Sequence, residues 1–168
     1  MEIPRGPSQI SQVALVVHDL DETMRTYHET LGWGPWKIYE LGPPEMHSMT
    51  LHGQPVQFSM LVAQCEVPPG VVIELVQPLD GPSAYKEWLD EHGEGVQHIA
   101  CRTTAQREAD EFNEQMAERG IDALMTGRIG QTIEFSYLDT QPLLKFILET
   151  GSGDESEVAP NRTYPSPP

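Results

Sequence analysis

Two rhythms of apolar and polar positions run along this chain, and the pair of rhythms occurs twice. Ile10 to Val17 is apolar on both faces, which predicts a strand buried on both sides. Asp19-Leu20-Asp21 then offers N-cap chemistry, and Leu20, Met24, Tyr27 and Leu31 make one apolar helical stripe closed by Gly32. In the second half Thr103 and Gln106 have capping-box spacing. Ala105, Ala109, Phe112 and Met116 then repeat the stripe, and Gly120 ends it. After the first helix, short strands are predicted at Trp36–Tyr39, Met46–Leu51, Val56–Val62 and Val71–Gln77, separated by Gly-Pro pairs and by His52-Gly53-Gln54-Pro55. After the second they are predicted at Ala123–Thr126, Thr132–Leu138 and Leu143–Thr150. The unit is therefore β-α-β-β-β, used twice. Gly81 to Leu89 forms a short capped helix between the copies.

The repeat extends to individual polar residues. Ile10-Ser11-Gln12-Val13-Ala14-Leu15 returns as Val96-Gln97-His98-Ile99-Ala100-Cys101, setting Gln12 opposite His98. Val72-Ile73-Glu74-Leu75 returns as Ile147-Leu148-Glu149-Thr150, setting Glu74 opposite Glu149. Each copy thus plants a Gln or His on its first strand and a carboxylate on its last. A lone strand histidine is usually a satisfied core residue, and a buried glutamine usually just hydrogen-bonds. The two glutamates are different, because each sits inside an apolar run. Burying a carboxylate without a partner costs on the order of several kcal/mol, and Lys145 is the only basic residue near either strand. A divalent cation is a natural counter-charge for such a set.

Composition narrows the partners. The 168 residues suffice for one good core or two small modules sharing one. With 26 acidic against 10 basic residues, the net charge of −16 argues against nucleic acid and anionic membrane surfaces. Cys65 and Cys101 belong to no CxxC pair, as expected of idle thiols in a reducing compartment. The N-terminus lacks the shape of a signal peptide and no apolar run approaches bilayer length, so a cytoplasmic location is expected. The expected organisation is an N-terminal arm over 1–8, modules over 9–80 and 95–150, a connecting helix over 81–94, and a tail over 151–168 without a core of its own.

A tandem β-α-β-β-β chain carrying these residues resembles the vicinal oxygen chelate superfamily, which includes glyoxalase I, methylmalonyl-CoA epimerase, extradiol dioxygenases and bleomycin-resistance proteins. The stretches Ile73-Glu-Leu-Val-Gln-Pro-Leu79 and Glu87-Trp-Leu-Asp-Glu-His-Gly-Glu-Gly-Val-Gln-His-Ile-Ala100 look most like the epimerase branch. The resemblance implies an α+β fold in which two modules form a cupped, partly open mixed sheet with helices on the outside. It also implies that Gln12, Glu74, His98 and Glu149 hold a divalent ion (Zn, Ni, Co, Mn or Mg), and that the protein is a homodimer. The set Gln, Glu, His, Glu is similar to that of zinc-type glyoxalase I, whereas the epimerase branch usually has His at the first position and an amide at the second. An epimerase-type carboxylate on the third strand should fall near Gln57-Phe58-Ser59-Met60, where there is no acid.

The expected activity is that of a metal-dependent isomerase, epimerase or lyase that stabilises an enolate of a small carbonyl compound. Glu149 is the first candidate for the proton shuttle and Glu74 the second. Phe58, Met60, Trp36, Phe135 and Tyr137 are candidates for an apolar substrate wall, with His47 as a further contact. Two other readings stand beside this one. One is a metal-free protein that binds a drug or metabolite, and the other is an iron-dependent ring-cleaving dioxygenase.

Overall fold

In the computed structural model, which describes residues 6, 9–103, 105–153, 156 and 158–166, the two apolar rhythms become strands and helices in the expected order. The first copy comprises β1 (Gln12–Val16), α1 (Leu20–Leu31), β2 (Trp36–Leu41), β3 (Met46–Leu51), β4 (Gln54–Pro55), β5 (Met60–Val67) and β6 (Val71–Pro78). The linking helix is α2 (Ala84–His92). The second copy comprises β7 (Gly95–Arg102), α3 (Gln106–Ala117), β8 (Ala123–Ile129), β9 (Ile133–Leu138), α4 (Gln141–Leu144) and β10 (Ile147–Ser152), and β11 (Arg162–Tyr164) follows. All but one residue of the expected arm over 1–8 lies outside the described residues.

Local chemistry explains most boundaries. Asp19 caps α1 by accepting from the Glu22 N–H, and Gly32 closes it at φ 69° in the left-handed region. Ser83 caps α2 in the same way through Lys86 N–H. The expected capping box of α3 is not formed. Thr103 instead donates its hydroxyl to the carbonyls of Ala105 and Gly151, and Gln106 pairs with Asp110 and Ser152. Ala105 takes the N-cap position without a side-chain bond, and Ala109, Phe112 and Met116 are buried as the stripe requires. The strand expected from Val56 begins only at Met60, although Ser59 exchanges backbone bonds with Leu79 and Asp80 just before it. The strand expected from Leu143 begins at Ile147, since Pro142 near the start of α4 favours a helical turn.

All eleven strands join one mixed sheet in the order β11-β2-β5-β6-β1-β7-β10-β9-β8-β3-β4. The order is symmetric about the central antiparallel pair of β1 and β7. On one side β6, β5 and β2 follow β1, and on the other β10, β9 and β8 follow β7. Each side is then extended by strands from elsewhere in the chain, β11 on one and β3 with β4 on the other. β3 leaves the first copy to pair with β8 of the second, and β11, from the expected tail, pairs with β2. This crossing explains the cup. β2 and β3 stand eight places apart in the sheet, roughly 38 Å if it were flat. Only residues 42–45 connect them, and five peptide steps reach at most about 18 Å. The sheet must therefore curl until its two sides approach, while β11 and β4 leave it open at the edges.

The alternation along β1 divides the core. Ala14 and Val16 face inward, with Val16 in a cluster that includes Met60, Val76, Phe135 and Tyr137. Leu15 and Val17 face outward under α1 with Leu20, Met24 and Trp36. α3 covers the other outer face, packing Phe112 and Met116 on Cys101, Leu138 and Leu148. α2 closes one end of the inner core through Ala84 and Tyr85. Gly81 makes that closure feasible. Its φ is 82°, and a Cβ there would run into the backbone carbonyl of Gln57. Gly81→Ala is expected to cost about 2–4 kcal/mol by urea unfolding, combining left-handed strain with a backbone clash. A loss within about 0.5 kcal/mol would mean the loop yields freely and does not brace α2.

Candidate functional site

The four polar residues singled out by the repeat lie on the inner face, close to the symmetry axis of the sheet. Across the sheet, Ala14 of β1 is flanked by Glu74 of β6 and His98 of β7. One row along, Ala100 of β7 is flanked by Gln12 of β1 and Glu149 of β10. The two rows exchange under the twofold relation of the copies. Each places an alanine, fully buried, between a carboxylate and its Gln or His partner. The alanines keep the floor low, so the longer side chains on either side can converge above it. Gln12, Glu74, His98 and Glu149 are 4%, 7%, 0% and 4% exposed, and residues 12 and 74 come from the first copy while 98 and 149 come from the second. The cluster is complete within one chain.

His98 is the centre of this arrangement. Its Nε2 lies 3.2 Å from Glu149 Oε2 and 3.5 Å from Glu74 Oε2. A register shift between Ala14 and Leu15 of β1 bulges β7 and turns Gln97 inward beside His98, where it is fully buried. Gln97 donates its amide to the Ala84 carbonyl (3.1 Å), which leaves its Oε1 to accept from His98 Nδ1 at 2.7 Å. That bond puts a proton on Nδ1 and aims Nε2 at the carboxylates, the orientation a ligating imidazole needs. Gln64 of β5 donates to Glu74 Oε1 (2.9 Å), and Arg102 approaches Glu149 Oε1 at 3.6 Å. The Tyr137 hydroxyl is 3.2 Å from His98 Nε2 and 2.7 Å from the Tyr85 hydroxyl.

The charges are strongly coupled. Burial alone would lower the His98 pKa, but Glu149 and Glu74 overcome it and raise the value from 6.5 to about 9. Burial would raise the Glu149 carboxyl, yet the adjoining His98 and then Arg102 hold it below the usual 4.5. Tyr85 and Tyr137 are pushed well above 10 by burial and then by Glu149, so both keep their protons. His98 has a raised pKa when folded, so its contribution is full below about 6.5 and is lost as pH rises through about 9. Chelator-treated protein is expected to lose on the order of 3 kcal/mol of stability across that interval. Thermal melts at a series of pH values check this, and His98→Gln should lack the slope.

A divalent ion suits this donor set. Two donors held about 2.1 Å from one ion lie about 3.0–3.4 Å apart, close to the observed Nε2–Oε2 separations. Glu149 Oε2 is buried without a hydrogen bond, although it stands at ion-pair distance from His98. The imidazole rests against both carboxylates, and among the described residues no three His, Cys, Asp or Glu side chains are opened out as a cation cage. The imidazole of His98 offsets one of the two carboxylate charges in the cluster as it stands.

The carboxylates open into a cavity of about 590 Å³, counted out to its solvent mouth. Met60, Val62, Ile129 and Phe135 form apolar walls, Gln64, Arg102, Tyr85 and Tyr137 join the glutamates at the polar end, and Val158 of the C-terminal segment reaches the lining. Of the expected wall residues, Met60, Phe135 and Tyr137 line this cavity. Phe58 lies behind it, edge-on to Tyr85 at 6.1 Å. Trp36 points to the opposite face of β2, fully buried with α1 and edge-on to Tyr27. The alternation of β2 decides this, since Tyr39 and Leu41 take the inward positions. His47 is exposed and bonds to Ser48 and the Gly130 carbonyl, away from the lining. Gln64, Tyr85, Gln97 and Arg102 were not singled out by the sequence. Gln64 could have been found by alternation once β5 was started at Met60, but the bulge that recruits Gln97 leaves no local signal.

Comparison with known proteins bears on the fold and the family. The family model of the Glyoxalase/Bleomycin resistance protein/Dioxygenase superfamily matches residues 11–137. Among solved structures, methylmalonyl-CoA epimerase from Mycobacterium tuberculosis is similar over 93% of this chain and 95% of that one, with TM-score 0.57 and 19% identity. A hypothetical protein from Bacillus halodurans is similar over 88% and 95%, with TM-score 0.56 and 19% identity. A variant of Streptomyces coelicolor methylmalonyl-CoA epimerase, in complex with 2-nitronate-propionyl-CoA, is similar over 88% and 99%, with TM-score 0.54 and 23% identity. No curated protein sequence matches this chain. Among the described residues no helix is long and apolar enough to cross a membrane.

Proposed function

Because this chain belongs to the Glyoxalase/Bleomycin resistance protein/Dioxygenase superfamily, we propose that it is an isomerase- or epimerase-type enzyme that moves a proton on a carbon next to a carbonyl. One observation carries this reading. Two buried carboxylates flank a buried imidazole at the polar end of an otherwise apolar cavity. Such a site can take a small organic substrate, exclude water from it and present a base to it.

Glu149 is the base. It is ionised by its neighbours, and it lines the cavity. Glu74 lines the cavity from the opposite copy and is placed to return the proton from another direction. Tyr137, protonated and hydrogen-bonded to Tyr85, offers a hydroxyl to the oxygen that gains charge as the proton leaves. Gln97 holds the imidazole in register, and Gln64 holds Glu74. A divalent ion held by Gln12, Glu74, His98 and Glu149 would supply Lewis-acid polarisation of the carbonyl, worth on the order of several kcal/mol. Epimerisation, carbonyl isomerisation and loss of a β-leaving group all begin with the same proton removal. The likeness to methylmalonyl-CoA epimerases favours an acyl thioester as the carbonyl compound. A homodimer would not share the site, since one chain supplies all four residues.

The test is incorporation of solvent deuterium next to the carbonyl of acyl thioesters and 2-oxo compounds, with the protein supplied with Zn, Ni, Co, Mn or Mg in turn. Exchange that requires one of these ions supports the proposal. Absence of exchange with every ion, alongside tight binding of an apolar ligand, would favour the metal-free binding protein. The direct pairing of His98 with both carboxylates is the feature on which that second reading rests.

A further inference from the structure

Resting on the reading of the cavity as the ligand site, we propose that the segment from Val158 to Tyr164 is a wall of that site, and that Val158 sets the length of the apolar group a ligand can carry. The glutamates occupy the polar end of the cavity, so the rest of the lining decides what else the ligand holds. Leu41 of β2, Met60 of β5, Ile129 of β8 and Ile133 of β9 supply apolar surface from both copies. Val158 joins them from neither copy.

Topology explains how it arrives there. β10 and β11 stand six places apart in the sheet, on opposite sides of the β1–β7 axis, so the chain crosses the molecule between Ser152 and Arg162. Val158 belongs to that crossing and lines the cavity, which puts the crossing at this point on the inner side of the cup, away from α1 and α3. Both ends of the crossing are fixed. At its start Gly153 has φ 127°, and a Cβ there would run into the backbone of Ile133, itself a lining residue. At its end the Asn161 N–H donates to the Ile38 carbonyl at 2.8 Å, and the Asn161 side-chain oxygen accepts from the Glu40 N–H at 2.8 Å. β11 then pairs with β2, Arg162 reaches Asp21 of α1, and the Tyr164 ring lies edge-on to His28. Backbone, side-chain and ring contacts thus fasten the stretch that begins three residues after Val158. A wall held in place discriminates by size, because an extra methylene on the ligand must displace it.

The test measures binding of straight-chain methyl ketones of increasing length, from propyl to octyl, by calorimetry. These probes are neutral, so the net charge of −16 does not enter. In the wild type, affinity is expected to rise about threefold per added methylene and then to fall once the chain meets Val158. Val158→Ala should move the fall to longer chains. Val158→Phe should move it to shorter ones, and weaken the longest ketone that the wild type accepts by at least about fivefold. Should Val158→Phe fail to fold, Val158→Leu takes its place. Leu143→Ala, exposed on α4, is the control and should leave the profile unchanged. A limit unmoved by the changes at residue 158, or no ketone binding in the wild type up to saturation in water, overturns the inference. A uniform loss across the series with the same limit also overturns it, since that reports a structural role. Because no turnover is needed, the two proposals separate. A limit that moves with residue 158 without deuterium exchange keeps this inference and removes the enzyme, and exchange with an unmoved limit does the reverse.

Discussion

Glu149→Gln is expected to lower the rate of deuterium incorporation by about 10²–10⁴-fold, the usual range for losing a positioned general base. Glutamine fills the same volume, so the change tests charge and basicity rather than packing. The carboxylate it replaces is 4% exposed and lies within 3.2 Å of His98 Nε2, so no bulk water substitutes for it. KM should change far less than kcat if the group acts on the moving proton, and bound metal is measured alongside because the same oxygen belongs to the proposed ligand set. Glu74→Gln should slow the return of the proton and so change the ratio of exchange to net conversion. A Glu149→Gln protein that exchanges within about threefold of wild type would remove this residue as the base.

His98→Ala is expected to destabilise the chelator-treated protein by about 3–5 kcal/mol at pH 7, the cost of leaving buried charges without their partner. In the native site the imidazole lies between Glu74 and Glu149, and both carboxylates are more than nine-tenths buried. Gln64 and Arg102 each reach only one of them, so neither replaces the shared cation. Without His98, burial raises the Glu149 carboxyl, so the variant should recover stability as pH falls. His28→Ala, at a half-buried outer position, serves as the control. A loss below about 1 kcal/mol in urea unfolding would show that the carboxylates are balanced some other way.

Much of this architecture is legible in the residues. The stripe of Leu20, Met24 and Tyr27 yields α1 with its Asp19 and Gly32 caps, because capping and amphipathicity are local properties. Leu31 belongs to the same stripe yet is 52% exposed at the last residue of the helix, a burial that the stripe alone does not define. Thr103 had the spacing for a capping box but found the Gly151 carbonyl of β10, a partner 48 residues away. Trp36 shows the same limit. Its type suited a substrate wall, but strand parity alone could not say which face of β2 would be covered by α1.

The sequence by itself determined the duplication, the pairing of Gln12 with His98 and of Glu74 with Glu149, and the three longer helices and most strands, because each depends on neighbours within a few turns or on an internal repeat. Only the tertiary structure decided that β3 crosses to β8, that β11 covers β2, and that a bulge in β7 brings Gln97 to His98. Those features depend on which edges meet when the sheet curls, and strand pairing is a contest among distant segments with similar local patterns. Arg102 belongs with them. Its residue type is visible anywhere along the chain, but its chemistry comes from ending beside Glu149 in a cavity built by both copies.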